Sequence, residues 1–371
     1  MIKQQSIYLD YNATAPMHPR AISALQLWLG VPANPSSVHS FGRAAKKGLE
    51  DARKTIAEAI SAWANEVIFT SSGTEANNMA LLGFPERRLL VSAVEHSSVL
   101  GTLDLELGIR ELGIRVKENG VIDLSDLEKK LASDPRPALV SVMLANNETG
   151  VIQPIAEVAE ICKKYGALLH CDAVQALGKI SLDFSLLGTD MMTISAHKCG
   201  GGVGAAALIV KNNLAIKPLI IGGGQELGRR AGTENIAAIA AFAAAVENID
   251  LAQMKNLRGW LDDMENKMKS AGGIIIGADA DRLPNTSCVA MRGASNEVQL
   301  MNFDLAGFAV SAGSACSSGR VEVSKTLLAM GIPKETAVSS IRISGGWNSK
   351  ESEIQAFTQN WLKLAARLGC Q

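Results

Sequence analysis

The chain is 371 residues long, 47% hydrophobic and 20% charged, with 36 basic side chains against 37 acidic ones. Such a length exceeds one typical domain and can fill a core without disulfides or metals. The composition excludes wholesale disorder, and the balanced charge gives no reason to expect a nucleic-acid or membrane-surface partner.

The opening MIKQQSIYLDYNATAP lacks the apolar core of a signal peptide. The longest apolar run, residues 236–246, is far shorter than the ~20 residues that span a bilayer. Six cysteines (Cys162, Cys171, Cys199, Cys288, Cys316 and Cys370) lie far apart, with no C-x-x-C pair. That is neither a disulfide framework nor zinc-site spacing, so the expected setting is the reducing cytoplasm, with no metal site.

In chain order, residues 43–60 carry apolar side chains at Leu49, Ala52, Ile56, Ala59 and Ile60, the stripe of an amphipathic helix. Short apolar runs follow, each ending in polar residues. VIFT (67–70) ends at Ser71-Ser72-Gly73-Thr74-Glu75, and LLVSAV (89–94) ends at Glu95-His96. ALVSVML (138–144) leads to Asn146-Asn147-Glu148, ALLHC (167–171) to Asp172 and Gln175, and DMMTIS (190–195) to His197-Lys198. Helix-like segments intervene, such as 154–165, with Pro154 at the start and Gly166 as a stop. Apolar strands alternating with helices predict an α/β fold with a largely parallel sheet covered on both faces. Ligands of such sheets bind beyond the carboxyl ends of the strands, so five strand ends are expected to build one site. Beyond residue 250 a charged helical stretch (253–270) and further strand-like pieces predict a smaller α+β domain, joined by N-terminal residues.

A lysine at the end of a buried strand needs a reason, because an unpaired ammonium is costly to desolvate. Lys198 is either a Schiff-base amine with Asp172 facing a pyridine nitrogen, or half of a structural Asp172–Lys198 ion pair. Gly73 and Thr74 are placed to open a helix whose N-terminus suits a phosphate, although Gly-Thr also begins plain helices. Cys316, among small residues in Ser311-Ala312-Gly313-Ser314-Ala315-Cys316-Ser317-Ser318-Gly319, reads as a thiol on an exposed, pliable loop. Arg342 lies in a strand-like run and has the planar fork that suits a carboxylate; a solvated surface role is the alternative. His96 reads as a flat-ring neighbour, a proton carrier or a capped structural histidine.

The motifs gain specificity from their order. Asn34-Pro35-Ser36-Ser37-x-His39, Gly73-Thr74-Glu75-Ala76-Asn77-Asn78, Glu95-His96 and Asn146-Asn147-Glu148-Thr149-Gly150 precede His170-x-Asp172-x-x-Gln175. Ser195-Ala196-His197-Lys198, Arg230-Ala231-Gly232-Thr233 and Gly313-Ser314-Ala315-Cys316 complete the series. Together they closely resemble the cysteine desulfurases of the NifS/IscS type, pyridoxal-phosphate enzymes with the aspartate-aminotransferase fold. The resemblance implies a large domain over residues 13–250 with a mostly parallel seven-stranded sheet. It also implies a small α+β domain formed by residues 1–12 and 251–371.

The same resemblance makes Lys198 the lysine that bears pyridoxal 5'-phosphate and Asp172 the partner of its ring nitrogen. Gln175 would contact the ring hydroxyl, Asn147 would lie beside the ring and His96 would stack on it. Gly73, Thr74, Ser195 and His197 would hold the phosphate, completed by Thr233 from the second subunit of a homodimer with shared sites. Arg342, with Asn147, would bind the carboxylate of L-cysteine. The Cys316 thiolate would take the sulfur as a persulfide and pass it to an acceptor such as an iron–sulfur scaffold protein. A selenocysteine lyase of the same fold, or an idle sulfur-carrier subunit, would keep much of this pattern. The chain departs from the family pattern at Cys199-Gly200-Gly201-Gly202-Val203, at Gly345-Gly346-Trp347 and at Gly73, where alanine often stands.

Overall fold

A computed structural model describes residues 6–104, 113–312 and 323–369. The strands in chain order are β1 (Ile7–Tyr8), then β2 (Val67–Thr70), β3 (Arg88–Val91), β4 (Ala138–Met143), β5 (Leu168–Asp172), β6 (Met191–Ser195) and β7 (Ala206–Val210). They continue with β8 (Ile274–Ile275), β9 (Thr286–Ala290), β10 (Phe308–Ala309) and β11 (Ser340–Ser344).

The main sheet runs in the order β2-β7-β6-β5-β4-β3. β3, β4, β5 and β6 are mutually parallel, and β7 is antiparallel to both β6 and β2. Six strands, rather than the seven implied by the resemblance, form the described sheet. Beyond β3 the edge is a single parallel bridge from Ser92 to Ile114. Ile114 N donates to Val91 O and Ala93 N to Ile114 O, but two residues later Val116 pairs with Ile122 instead. Among the described residues, which exclude 105–112, only Ile114 pairs along this edge before Val116 turns to Ile122.

The strands read as nearly continuous apolar runs because both faces are covered. Phe69, Val140, Val142, Ile194, Ala207 and Ile209 face one core, packed by the helices Ser40–Ala59, Ile155–Lys164 and Ile236–Glu247. The alternate residues Ile68, Leu139, Leu208 and Val210 meet Ala76, Met79 and Ala80 of the helix Gly73–Leu82 on the other face. This period-of-two division is what a doubly covered sheet requires. The helix Ser40–Ala59 carries the stripe expected from the sequence, with Leu49, Ala52 and Ile56 buried.

A second core joins Leu9 to the helices Leu251–Ser270 and Glu351–Leu368 through Leu257, Leu261, Phe357 and Trp361. Here β9 pairs antiparallel with β8 and β11, while β1 pairs parallel with β10, so the N-terminal residues join this later part of the chain. Among the described residues no single helix is long and apolar enough to cross a membrane.

Candidate active site

The carboxyl ends of β2 to β6 converge, as parallel crossovers require, and the residues just past them meet the N-terminal segment and β11. Lys198 follows β6 in a short 3₁₀ turn, Ala196–Lys198. Its Nζ donates to Asn12 O at 2.6 Å and to Ala13 O at 2.9 Å. Burial, and next the Arg342 guanidinium, pull this amine down to about 8, against the opposing pull of Asp10 and Asp172. Lys198 thus makes no ion pair with Asp172 among the described residues. The ion-pair alternative fails, and the lysine is an amine poised to lose its proton near neutrality.

Asp172 ends β5 with its carboxylate buried. Oδ2 accepts Asn77 Nδ2 at 2.7 Å and Oδ1 accepts the Val174 backbone N–H at 2.9 Å. His96 caps the short helix Ser97–Leu100, its Nδ1 accepting Ser98 N at 3.1 Å, so Nε2 carries the proton of the neutral ring. Burial and the Lys198 charge hold its pKa below the ordinary histidine value, although Asp172 pulls the other way. The capped-histidine reading and the ring-neighbour reading are therefore compatible.

Gly73 opens a ten-residue helix whose cap, Ser72, accepts Glu75 N through its hydroxyl. A Cβ at Gly73 would lie 3.1 Å from Val174 Cγ2 and 3.7 Å from Ser195 Cβ, so the helix start, the β5 turn and the β6 end are in contact. The Ser195 hydroxyl is buried here without a hydrogen-bond partner. Thr74 is exposed in the first helical turn. His197 Nδ1 lies 3.3 Å from Thr14 Oγ1, and burial with Lys198, Lys179 and His96 pushes it down to about 4. A helix N-terminus, an orphan hydroxyl and a neutral imidazole form an anion cradle beside an amine and a buried carboxylate. The residues fit pyridoxal phosphate, whose phosphate and ring nitrogen need those groups.

Gln175 Nε2 donates to Asn12 O at 3.0 Å. The Asn147 carbonyl accepts Arg342 Nη1 at 2.8 Å, and Arg342 Nη2 pairs with Asp10 at 2.6 Å, leaving Nε buried and unpartnered. Arg342 belongs to β11 and is buried, which removes the solvated-surface alternative. Thr233 stands exposed ahead of the helix Ile236–Glu247 and makes no side-chain hydrogen bond among the described residues. The neighbouring Arg230 ties that segment to Glu75 of the cradle helix at 2.7 Å. Cys316 lies outside the described residues. The described chain on either side is anchored at the site: Ser311 exchanges backbone hydrogen bonds with Arg342, and Ser324 Oγ donates to Glu148 at 2.6 Å.

The two unusual segments meet each other. Trp347 Nε1 donates to Pro16 O at 3.0 Å, and a Cβ at Gly200 would sit 3.3 Å from that indole nitrogen. A Cβ at Gly346 would collide with the Tyr11 ring. Glycine at 200 and 346 makes room for Trp347 and Tyr11, so these departures are complementary.

Sequence reasoning missed Asn12, whose carbonyl receives Lys198 and Gln175 and whose Nδ2 reaches Asn147 O and Thr286 Oγ1. It also missed Asp10, Asn77, Glu95 and Lys179. Glu95 is buried, and burial with the nearby Asp172 charge pushes its pKa well above the carboxylate range, which favours the neutral acid. Only its position beside His96 at a strand end signals it.

Over residues 7–357 the sequence matches the aminotransferase class-V family, and the chain belongs to that family. It is 38% identical over 367 residues to the cysteine desulfurase IscS of Dictyoglomus turgidum, an alignment spanning 95% of this chain and 92% of that protein. A NifS-like protein from Rickettsia africae superposes with TM-score 0.90 at 38% identity, over 97% of this chain and 99% of that one. The structure of SspA in complex with cysteine superposes with TM-score 0.81 at 29% identity, covering 91% and 98%.

Proposed function

We propose that this chain is a pyridoxal-phosphate-dependent cysteine desulfurase that converts L-cysteine to L-alanine and retains the sulfur on Cys316. The observation that supports it most is the gathering of the Lys198 amine, the Asp172 carboxylate and the orphan Ser195 hydroxyl at adjacent strand ends, with the Arg342 guanidinium close by. The IscS and NifS-like relatives, and the cysteine bound by SspA, support the same substrate.

In this reading Lys198 bears the cofactor, Asp172 faces its ring nitrogen, Gln175 its ring oxygen and His96 and Asn147 flank the ring. Gly73, Thr74, Ser195 and His197 hold its phosphate. When bound, pyridoxal phosphate supplies a protonated ring that draws electrons from the substrate's Cα. Arg342 grips the substrate carboxylate and orients the Cα–H bond toward Lys198, which takes that proton as general base. The Cys316 thiolate attacks the substrate sulfur; the carbon–sulfur bond breaks, its electron pair stays with Cβ, and protonation at Cβ together with return of a proton from Lys198 to Cα gives alanine. The persulfide left on Cys316 passes its outer sulfur to a thiolate of an acceptor protein, such as an iron–sulfur scaffold.

Residues 13–250 form the cofactor-binding domain, and 1–12 with 251–371 the domain carrying Arg342 and Cys316. Exposed Thr233, on the segment held by the Arg230–Glu75 pair, completes the phosphate site of the second subunit in a cytoplasmic homodimer. Purified protein loaded with pyridoxal phosphate and given L-cysteine and a thiol reductant is expected to release alanine and sulfide in equal amounts. Absence of alanine overturns the reading.

A further inference from the structure

Lys179 is a second lysine in this site, and the reaction as described does not use it. It lies four residues after Gln175 in the turn leaving β5, and it is buried. Among the described residues it makes no ion pair. Its Nζ donates to Asn12 Oδ1 at 2.8 Å and to Gln175 Oε1 at 2.5 Å. Such a group, buried without a carboxylate, costs stability unless its hydrogen bonds serve a purpose.

The purpose follows from amide chemistry. An ammonium has only N–H to present to a neighbouring amide, so the amide must answer with its oxygen. Gln175 Oε1 is committed to Lys179, and Nε2 therefore points the other way. One of its two N–H groups goes to Asn12 O at 3.0 Å, and the second remains available. A flipped Gln175 would set its NH₂ against the lysine and its oxygen against the Asn12 carbonyl. The same amine fixes Asn12, whose Oδ1 also accepts Asn285 Nδ2 at 3.1 Å. Lys179 thus aligns two amides around the carbonyl that holds Lys198.

We propose that Lys179 is a positioning residue of the active site: its amine fixes the Gln175 amide so that an N–H, rather than the carbonyl, faces the cofactor ring. This rests on the function proposed above, in which Gln175 meets the ring oxygen. Burial, with the Lys198 and Arg342 charges, holds the Lys179 amine well below the ordinary lysine value, against Cys199. Charged or neutral, the amine has N–H donors enough for the two oxygens that face it, Asn12 Oδ1 and Gln175 Oε1, and the charged form alone forbids the flipped amide. Lys179 and Lys198 also line one cavity of about 30 Å³ with Tyr11, His18 and Trp347, room for a water molecule or a larger head group.

The test is the pH midpoint of the visible absorption band of the protein loaded with pyridoxal phosphate. The charged and titratable groups around Lys198 are Arg342, Asp10, Asp172, His96, His197 and Lys179 itself, so replacing Lys179 also removes its charge from this set, an effect the Gln175→Ala background isolates. An N–H aimed at the ring oxygen stabilises its anion and eases loss of the neighbouring proton. Lys179→Met is therefore expected to raise the midpoint by about one pH unit, a tenfold change in proton affinity. In a Gln175→Ala background the same substitution is expected to add no further shift, because its effect runs through that amide. Lys179→Arg, which keeps the donors and has the cavity for its larger head, is expected to retain the wild-type midpoint. An unshifted Lys179→Met protein, or an equal shift in the Gln175→Ala background, overturns the proposal. If Lys179→Met does not fold, a Lys179→Arg midpoint displaced as far as that of Gln175→Ala overturns it equally. A wild-type protein with no visible band would instead refute the proposed function itself.

Discussion

Asp10 Oδ1 accepts Arg342 Nη2 at 2.6 Å, joining the N-terminal segment to β11 beside Lys198. With Nη1 given to the Asn147 carbonyl, two corners of the guanidinium are fixed before any substrate arrives. That leaves the buried Nε edge as the donor without a partner. An arginine held in this way is pre-oriented for a carboxylate, which lowers the ordering cost of binding.

Arg342→Lys is expected to raise KM for L-cysteine about ten- to a hundredfold, the loss of ~1.5–3 kcal/mol from charge-assisted hydrogen bonds. Steady-state kinetics with cysteine measure it, and an unchanged KM would place the carboxylate elsewhere.

Asp10 has a second effect, on Lys198. Its carboxylate and that of Asp172 favour the charged amine, which burial and Arg342 otherwise pull down to about 8. Asp10→Asn should lower that pKa further, so that Lys198 in cofactor-free protein is acetylated at lower pH. Peptide mass mapping across a pH series reads the midpoint, and a rise would contradict the assignment.

His170 is wholly buried between Ser141 Oγ at 2.9 Å and Thr193 Oγ1 at 3.0 Å. Burial pushes it down to about 4, against Asp172. Between about 4 and its ordinary value near 6.5 the unfolded chain binds a proton that the folded chain refuses. The stabilisation is complete above that upper value and is lost as pH falls through the lower one, on the order of 3 kcal/mol. Denaturant melts should therefore show wild type weakening more steeply than His170→Gln over this window. Parallel pH profiles would refute the account.

Glu226 and Arg53 form a buried ion pair at 2.7 Å, and Glu226 also accepts Phe69 N from β2 at 2.8 Å. The pair pins a segment in which Glu226 and Leu227 both take left-handed backbone angles, φ 49° and 58°. Glu226→Ala leaves the buried guanidinium with only the half-exposed Glu50 carboxylate, 3.2 Å from Nε, and the Val67 carbonyl, at a cost of ~3 kcal/mol in unfolding free energy. A loss below about 1 kcal/mol, the range of exposed pairs, would show that the segment rearranges freely.

The strand-end residues were legible in the sequence because apolar runs stop abruptly where chemistry begins: Asp172, Gln175 and Lys198 each follow such a run within a few residues. Asp10 and Asn12 were not. They reach the site from more than 180 residues before Lys198, and only the pairing of the N-terminal segment with Ser344 and Phe308–Ala309 carries them there. Lys179 was hidden for another reason: a lysine in a turn normally reads as solvated, and nothing local reveals that Asn12 closes over it. The described sheet has six strands where seven were expected, and at its β3 edge one bridged residue, Ile114, carries too little periodicity to distinguish a strand from a passing loop.

The most direct measurement is peptide mass spectrometry of the loaded protein after brief exposure to L-cysteine, with thiols trapped by alkylation. The account predicts one added sulfur atom on Cys316, and none when Lys198 is replaced by alanine. Sulfur on a different cysteine, or on Cys316 without Lys198, would contradict it.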